Sequence, residues 1–145
     1  MENKVEYKIT EDKSKMDVAQ IHGFLTESYW AKGIPLKTVE KSIANSMCFA
    51  VLAGNSKLVA FARVITDHTI FGYLADVFVL PEHRGQGLSK QLMQHIFDHS
   101  ELQGLRRIML ATKDAHGLYK QYGFKSLSHP ETMMENWQPN IYRTT

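Results

Sequence analysis

The chain has 145 residues, with 17 lysines and arginines against 15 aspartates and glutamates and a formal net charge of +2. That length fits one domain over residues 1–145 with a sizeable core, and the small, scattered charge excess argues against a nucleic-acid-binding surface. The single cysteine, Cys48, excludes an internal disulfide and fits a reducing compartment. No apolar run is long enough to cross a membrane or to form a signal segment, so we expect a cytoplasmic protein with no membrane partner.

The first half of the chain carries clear strand and helix periodicities. In order, they predict a half-exposed strand, two amphipathic helices and three consecutive antiparallel strands separated by turn residues. These elements cover residues 5–9, 18–25, 36–45, 49–53, 58–66 and 70–80.

The second half predicts a helix, a strand, a short helix and a final strand. They cover residues 88–100, 107–111, 115–122 and 124–127. The strand at 70–80, the helix after it and the strand at 107–111 imply a parallel pair joined by a right-handed crossover. The expected fold class is therefore α+β: a mixed, mainly antiparallel central sheet with one parallel βαβ unit and helices on both faces. Residues 128–145 show no periodicity that predicts an element.

A short turn between the strand at 70–80 and the next helix contains Arg84, Gly85 and Gly87. The first N–H groups of a helix have no internal partners, and the helix dipole favours negative charge there. Glycine lets the backbone approach a ligand closely, and arginine offers a fork of donors that suits phosphate. The turn therefore predicts a pyrophosphate on the backbone of residues 84–89. A plain tight connection is the alternative, since the turn lacks the order of a Walker loop and has Lys90 where a dinucleotide fingerprint needs its third glycine.

Aromatic and acidic side chains elsewhere are candidates for contacts with a substrate. Tyr29 and Trp30 lie together in a loop, where they either cap the core or line a ligand pocket. Asp76 is a carboxylate inside an apolar strand, which suggests a general base, a charge partner for a substrate, or a structural hydrogen bond to a nearby loop. His95 and His99 are four residues apart on one helix face, but no third ligand is apparent, so we expect no metal.

The order of elements and two motifs resemble the GNAT superfamily of acyl-CoA-dependent N-acetyltransferases over residues 5–127. The family's phosphate loop reads Arg/Gln-x-x-Gly-x-Gly/Ala. Arg84 and Gly87 match it, and Ser89 stands where glycine or alanine is usual. The family's C-terminal motif has a tyrosine four residues before a Gly-Phe pair, which Tyr119 matches before residues 123–124.

The resemblance implies an acyltransferase that moves an acetyl group from acetyl-CoA, as acyl-donor co-substrate, to the amine of a small molecule or peptide. Acetyl-CoA would lie in a gap between the strands at 70–80 and 107–111, with its pantetheine along the first of them. Tyr119 would give its phenolic proton to the departing thiolate. The amine attacks the thioester directly, so the reaction needs no protein nucleophile. The implied donor-binding residues are Val77, Phe78, Val79, Arg84, Gly85, Gln86, Gly87, Leu88, Ser89, Asp114 and Tyr119.

Two positions depart from the family pattern. Many members carry glutamate where Ala75 stands, so the general base stays open between Asp76 and His116. Many carry asparagine near the position of Asp114, so that contact is an open expectation. On the acceptor side, Tyr29, Trp30 and Asp76 suggest a cationic or aromatic-bearing amine, because rings and carboxylates both attract cations.

Two rival functions are compatible with the same residues. One is a non-catalytic module that binds or senses acyl-CoA on this scaffold, and the other is a nucleotide-binding protein that uses the glycine turn. The sequence leaves the oligomeric state open, with a homodimer as one alternative.

Overall fold

The structure, a computed structural model, describes residues 5–143 and contains five strands and four α-helices in this range. The strands are β1 (Tyr7–Thr10), β2 (Met47–Ala53), β3 (Leu58–Thr66), β4 (Phe71–Val79) and β5 (Arg107–Leu110). The helices are α1 (Val18–Leu25), α2 (Leu36–Ala44), α3 (Leu88–Phe97) and α4 (His116–Lys120). Among these residues, no helix has the length and apolar character that crossing a membrane requires.

The five strands form one sheet in the order β1-β2-β3-β4-β5. Neighbours from β1 to β4 are antiparallel, and β4 and β5 are parallel, so the mixed sheet with one βαβ unit is confirmed. The parallel pairing covers Phe71 to Leu74 of β4 against Arg107 to Leu110 of β5. Beyond that point β4 continues to Val79 without β5 beside it. The two strands therefore part, which leaves a cleft at this edge of the sheet.

The core lies on both faces of the sheet, because β2 is buried on both sides. Cys48, Ala50 and Leu52 pack with α1 and α2, whereas Phe49 and Val51 pack with α3 and Tyr119. Alternate residues of one strand point to opposite faces, so a continuous apolar run is what such a strand needs. The predicted arrangement of helices on both faces is confirmed.

A β-bulge interrupts β4 at the cleft. The pairing shifts between Phe61 and Arg63 of β3, so Asp76 and Val77 together face one residue of that strand. Asp76 has a φ of 54°, in the left-handed region, which costs a residue other than glycine about 1 kcal/mol or more. The extra residue changes the face on which later side chains lie: Leu74 packs with the α3 side, and Phe78 with the α1 and α2 side.

The predicted final strand at residues 124–127 is wrong. This segment contains no strand, and β5 is the last strand of the sheet within residues 5–143. Phe124 instead packs edge-on against Tyr119 at 5.9 Å between ring centroids and against Phe97 at 5.7 Å. Phe124 therefore packs α4 against α3, whereas Leu127 is 42% exposed.

Candidate active site

The glycine turn has two residues in the left-handed conformation. Gly85 and Gly87 have φ values of 81° and 75°, and Gly87 is the N-cap of α3. A side chain at either position would be strained, and a Cβ built at either would meet nothing within 4 Å. The turn therefore needs glycine for its backbone, and it faces open space where a ligand can approach.

The turn presents a row of backbone donors. From Gly85 to Lys90, no N–H group donates to another group of residues 5–143, and the first helical bond of this end runs from Gln91 N–H to the Gly87 carbonyl at 3.1 Å. Uncommitted N–H groups at a helix N-terminus, together with the helix dipole, make an anion-binding site. A pyrophosphate fits this donor set in charge and in hydrogen-bonding chemistry.

Arg84 is exposed at the entrance to this turn, and its Nε donates to the Val79 carbonyl oxygen at 3.0 Å. That bond fixes the guanidinium beside the end of β4. The other N–H groups of its guanidinium have no acceptor in the described part of the chain. An arginine whose Nε is fixed and whose other guanidinium N–H groups are free is suited to bind phosphate.

Tyr119 lies at the other side of the cleft, on α4, with 8% of its surface exposed. Burial raises the pKa of its phenol, and the nearby Tyr29 and Asp114 raise it further. The phenol is therefore protonated at neutral pH and available as a proton donor. Asp114 itself is exposed, and its negative charge opposes deprotonation of the Tyr119 phenol. His116 is exposed at the first position of α4.

Asp76 faces the α1 and α2 side of the sheet and has a donor on each carboxylate oxygen. Arg63 Nε lies 2.9 Å from Oδ2, and Trp30 Nε1 donates to Oδ1 at 2.9 Å. The side chains of Arg63 and Asp76 are 14% and 10% exposed. Both oxygens of the carboxylate are therefore engaged by donors on other elements of the fold. Its role as general base stays a prediction.

Tyr29 contacts Lys113, which lies in the segment between β5 and α4. Its hydroxyl accepts a hydrogen bond from the Lys113 N–H at 3.3 Å, and the Lys113 ammonium lies 5.4 Å from the centre of its ring. Trp30 packs edge-on against Tyr29 at 5.1 Å and contacts Phe24, which stacks on Phe78 of β4. Tyr29 and Trp30 remain 61% and 43% exposed, so their rings are accessible to a ligand.

The histidines on α3 are held by a carboxylate that the sequence did not connect with them. Glu11 accepts one bond from each ring, at 3.0 Å from His95 Nε2 and 2.7 Å from His99 Nε2. Burial opposes the charge of Glu11, but these hydrogen bonds prevail and lower its pKa. Within residues 5–143, no group of three or more histidine, cysteine or acidic side chains has a geometry that could hold a metal ion.

Three of these contacts were missed at the level of sequence, those of Arg63, Lys113 and Glu11. Arg63 had a usable signal: it is the only charged residue in the apolar run 58–66, as Asp76 is in the run 70–80. Opposite charges buried in neighbouring antiparallel strands are expected to pair. Lys113 had no such signal, because its contact joins two loops that are distant in sequence.

The matching family model is the acetyltransferase (GNAT) family, over residues 12–124. The chain belongs to the GNAT acetyltransferase family. It is therefore an acyltransferase of the GNAT fold, and the turn, the cleft and Tyr119 lie in the matched range.

Individual relatives agree with this assignment. A GNAT-family crystal structure from Xanthomonas campestris pv. campestris is 48% identical, with a TM-score of 0.93 and coverage of 96% of this chain and 98% of that one. A Gibberella zeae protein that carries an acetyltransferase name, FG08082, is 31% identical over 143 residues, covering 83% of this chain and 80% of that protein. A Clostridium acetobutylicum structure solved with acetyl-CoA has the same fold, at 17% identity, a TM-score of 0.64 and coverage of 92% and 96%.

Proposed function

We propose that this GNAT protein transfers an acetyl group from acetyl-CoA to a primary amine, by direct attack of the amine in a ternary complex. The observation that carries the proposal is the parting of β4 from β5 beside the glycine turn. One opening there combines backbone donors for a pyrophosphate, a free strand edge for the pantetheine and a buried phenol. A fold that accommodates acetyl-CoA in a distant structural relative supports the same choice of donor.

The turn supplies the contacts for the pyrophosphate of the donor. The hydrogen-bond donors are its N–H groups at residues 85–89 and the guanidinium of Arg84. Binding through the backbone N–H groups costs little conformational entropy, because the helix already orders them. Along β4, the strand edge at residues 77–79 has no strand on its β5 side. Extended strands pair readily with an extended ligand, so this edge suits the amide groups of pantetheine.

The reaction needs little protein chemistry beyond placement and one proton. During attack the thioester carbonyl oxygen gains negative charge, and N–H donors at residues 77–79 stabilise it. Tyr119 gives its proton to the sulfur as the bond between carbon and sulfur breaks. The amine gives up a proton, for which Asp76 and His116 are the two candidate acceptors. Holding both substrates in one cleft contributes much of the rate.

A cationic amine is the acceptor class that the observed contacts support best. The Lys113 ammonium lies 5.4 Å from the centre of the Tyr29 ring, and this contact supports a cation-binding role for the ring. Trp30 lies beside it with 43% of its surface exposed. An acceptor with a second positive charge could take the place of Lys113 on the ring.

The test is the release of free CoA from acetyl-CoA over a panel of neutral and cationic primary amines, with ATP and NAD as competing ligands. We expect amine-dependent release, faster for cationic amines, that ATP and NAD do not inhibit at equal concentration. Tight CoA binding without release for any amine would favour the non-catalytic module, and tight ATP or NAD binding without competition by CoA would favour a nucleotide-binding protein. Equal rates for neutral and cationic amines would contradict the acceptor class.

A further inference from the structure

The bulge in β4 contains an aspartate where glycine is the usual residue. Asp76 takes the first bulge position with a φ of 54°, and in bulges of this kind glycine commonly fills the left-handed position. Ser56 and His68 also have positive φ, but both lie in turns outside the strands. A strained residue in the middle of a strand persists only when its surroundings hold it.

The surrounding residues hold Asp76 through hydrogen bonds to its side chain. Each oxygen has one donor at 2.9 Å, Arg63 Nε on the neighbouring strand and Trp30 Nε1 on the loop between α1 and α2. With Asp76 and Arg63 at 10% and 14% exposure, the ion pair is shielded from water. Such a pair is costly to break from one side, because the remaining charge is then buried without a partner.

Arg63 is itself fixed at its far end. Its Nη1 donates to Ser46 Oγ at 3.1 Å, and that hydroxyl donates to the Ser42 carbonyl on α2 at 2.7 Å. A chain of hydrogen bonds therefore runs from α2 through Arg63 to the bulge. It ends beside residues 77–79, where successive N–H groups point to opposite sides of β4. The Leu80 N–H donates to the Val59 carbonyl of β3 at 2.8 Å, so the Val79 N–H before it points to the cleft side.

We propose that Arg63 is a positioning residue for acetyl transfer. Through its ion pair with Asp76 it holds the left-handed bulge, and the bulge aims the cleft-side N–H groups within residues 77–79. This inference rests on the proposed function. The ion pair also gives a structural reason for an aspartate at position 76, so the presence of this carboxylate does not require that it accept a proton in the reaction.

The test compares three variants: Arg63→Met alone, and Arg63→Met combined with either Asp76→Gly or Asp76→Ala. Arg63→Met leaves the carboxylate buried and unpaired, so the bulge should shift, and kcat should fall by up to about 10²-fold, as for a small misplacement of reacting groups. The affinity for CoA, measured by calorimetry, should fall by a smaller factor than kcat, because the pyrophosphate contacts of the turn lie outside the ion pair and only the pantetheine contacts at residues 77–79 are disturbed.

The two double variants separate the backbone from the carboxylate. Glycine adopts the left-handed conformation freely, so Arg63→Met with Asp76→Gly should recover kcat by about tenfold or more over Arg63→Met alone. Alanine is strained there, so its double variant should recover less. Equal kcat for the two double variants, or wild-type kcat in Arg63→Met, would overturn the proposal, and loss of all activity in the glycine variant would return Asp76 to the role of base.

Amide hydrogen exchange gives a readout that does not depend on turnover. Exchange at residues 75–79 should be faster in Arg63→Met than in the wild-type protein, while exchange in α3 should be the same in both. If the wild-type protein released no CoA with any amine but this exchange difference appeared, the proposed function would fail and the role of Arg63 in the bulge would stand. Unchanged exchange at residues 75–79 would refute that role, whatever the turnover.

Discussion

At the scale of single residues, the chemistry depends on the proton of Tyr119. Burial and two neighbours raise the pKa of this phenol above its usual value of about 10. A raised pKa means that the protonated form persists to higher pH. Loss of this proton should therefore slow the reaction only above about pH 10 and should not limit it near neutral pH.

Replacing Tyr119 with phenylalanine should lower kcat by about 10²-fold or more, the typical contribution of a general acid, with CoA affinity nearly unchanged. The matched control is Tyr122→Phe, since the Tyr122 hydroxyl donates to the Lys90 carbonyl at 3.0 Å and lies outside the proposed chemistry. The measurements are steady-state CoA release and calorimetry. Wild-type kcat in Tyr119→Phe, or an equal loss in Tyr122→Phe, would eliminate Tyr119 as the acid.

Cys48 is a core residue of β2. It is 3% exposed, and burial raises the pKa of its thiol to about 11, against the smaller opposing effects of Lys13 and Arg63. The thiolate is the reactive form, so the native thiol should not react with iodoacetamide at about pH 8, whereas the urea-unfolded chain should. Mass spectrometry of both samples is the measurement. Equally fast labelling of the native protein would contradict the burial of this thiol.

At the scale of elements, the junction of β4 and α3 depends on glycine at one position. Gly87→Ala places a Cβ on a residue with a φ of 75°, which should lower the free energy of unfolding by about 1 kcal/mol. It should also weaken CoA binding, because relaxation of the strain turns the N–H groups away from the ligand. Urea unfolding and calorimetry measure the two effects.

Gly23→Ala is the control for that change. Gly23 lies inside α1, and a Cβ built there would meet nothing within 4 Å. Alanine in a helix interior should raise the free energy of unfolding by about 0.5–1 kcal/mol without affecting CoA binding. If both substitutions changed the free energy of unfolding equally, the left-handed conformation of Gly87 would not explain the effect of Gly87→Ala.

The elements also mark where sequence reasoning succeeds and where it fails. The run 70–80 predicts β4 because buried strands are continuously apolar, and the turn after it has a conformation set by its own glycines. The bulge at Asp76 leaves no trace in the pattern, because it depends on pairing with β3. The strand predicted at 124–127 is absent because Phe124 packs against Tyr119 and Phe97 instead of pairing with β5, a contact that the local sequence does not reveal.

At the scale of the whole molecule, the site is assembled from segments that local patterns cannot connect. Trp30 and Asp76 are 46 positions apart, and Tyr29 and Lys113 are 84 apart, yet each pair is in contact. Motifs identified the turn and Tyr119 as candidates, since their chemistry resides in a few adjacent residues. The contacts of Arg63, Lys113 and Glu11 required the packing of loops and helices on the sheet.

The crystal structure of the complex with CoA tests the central claim most directly. Pyrophosphate oxygens should lie about 2.7–3.2 Å from backbone nitrogens within residues 85–89, with the Arg84 guanidinium beside them and the pantetheine along residues 77–79. CoA bound with its pyrophosphate away from this turn, or outside the cleft between β4 and β5, would contradict the account.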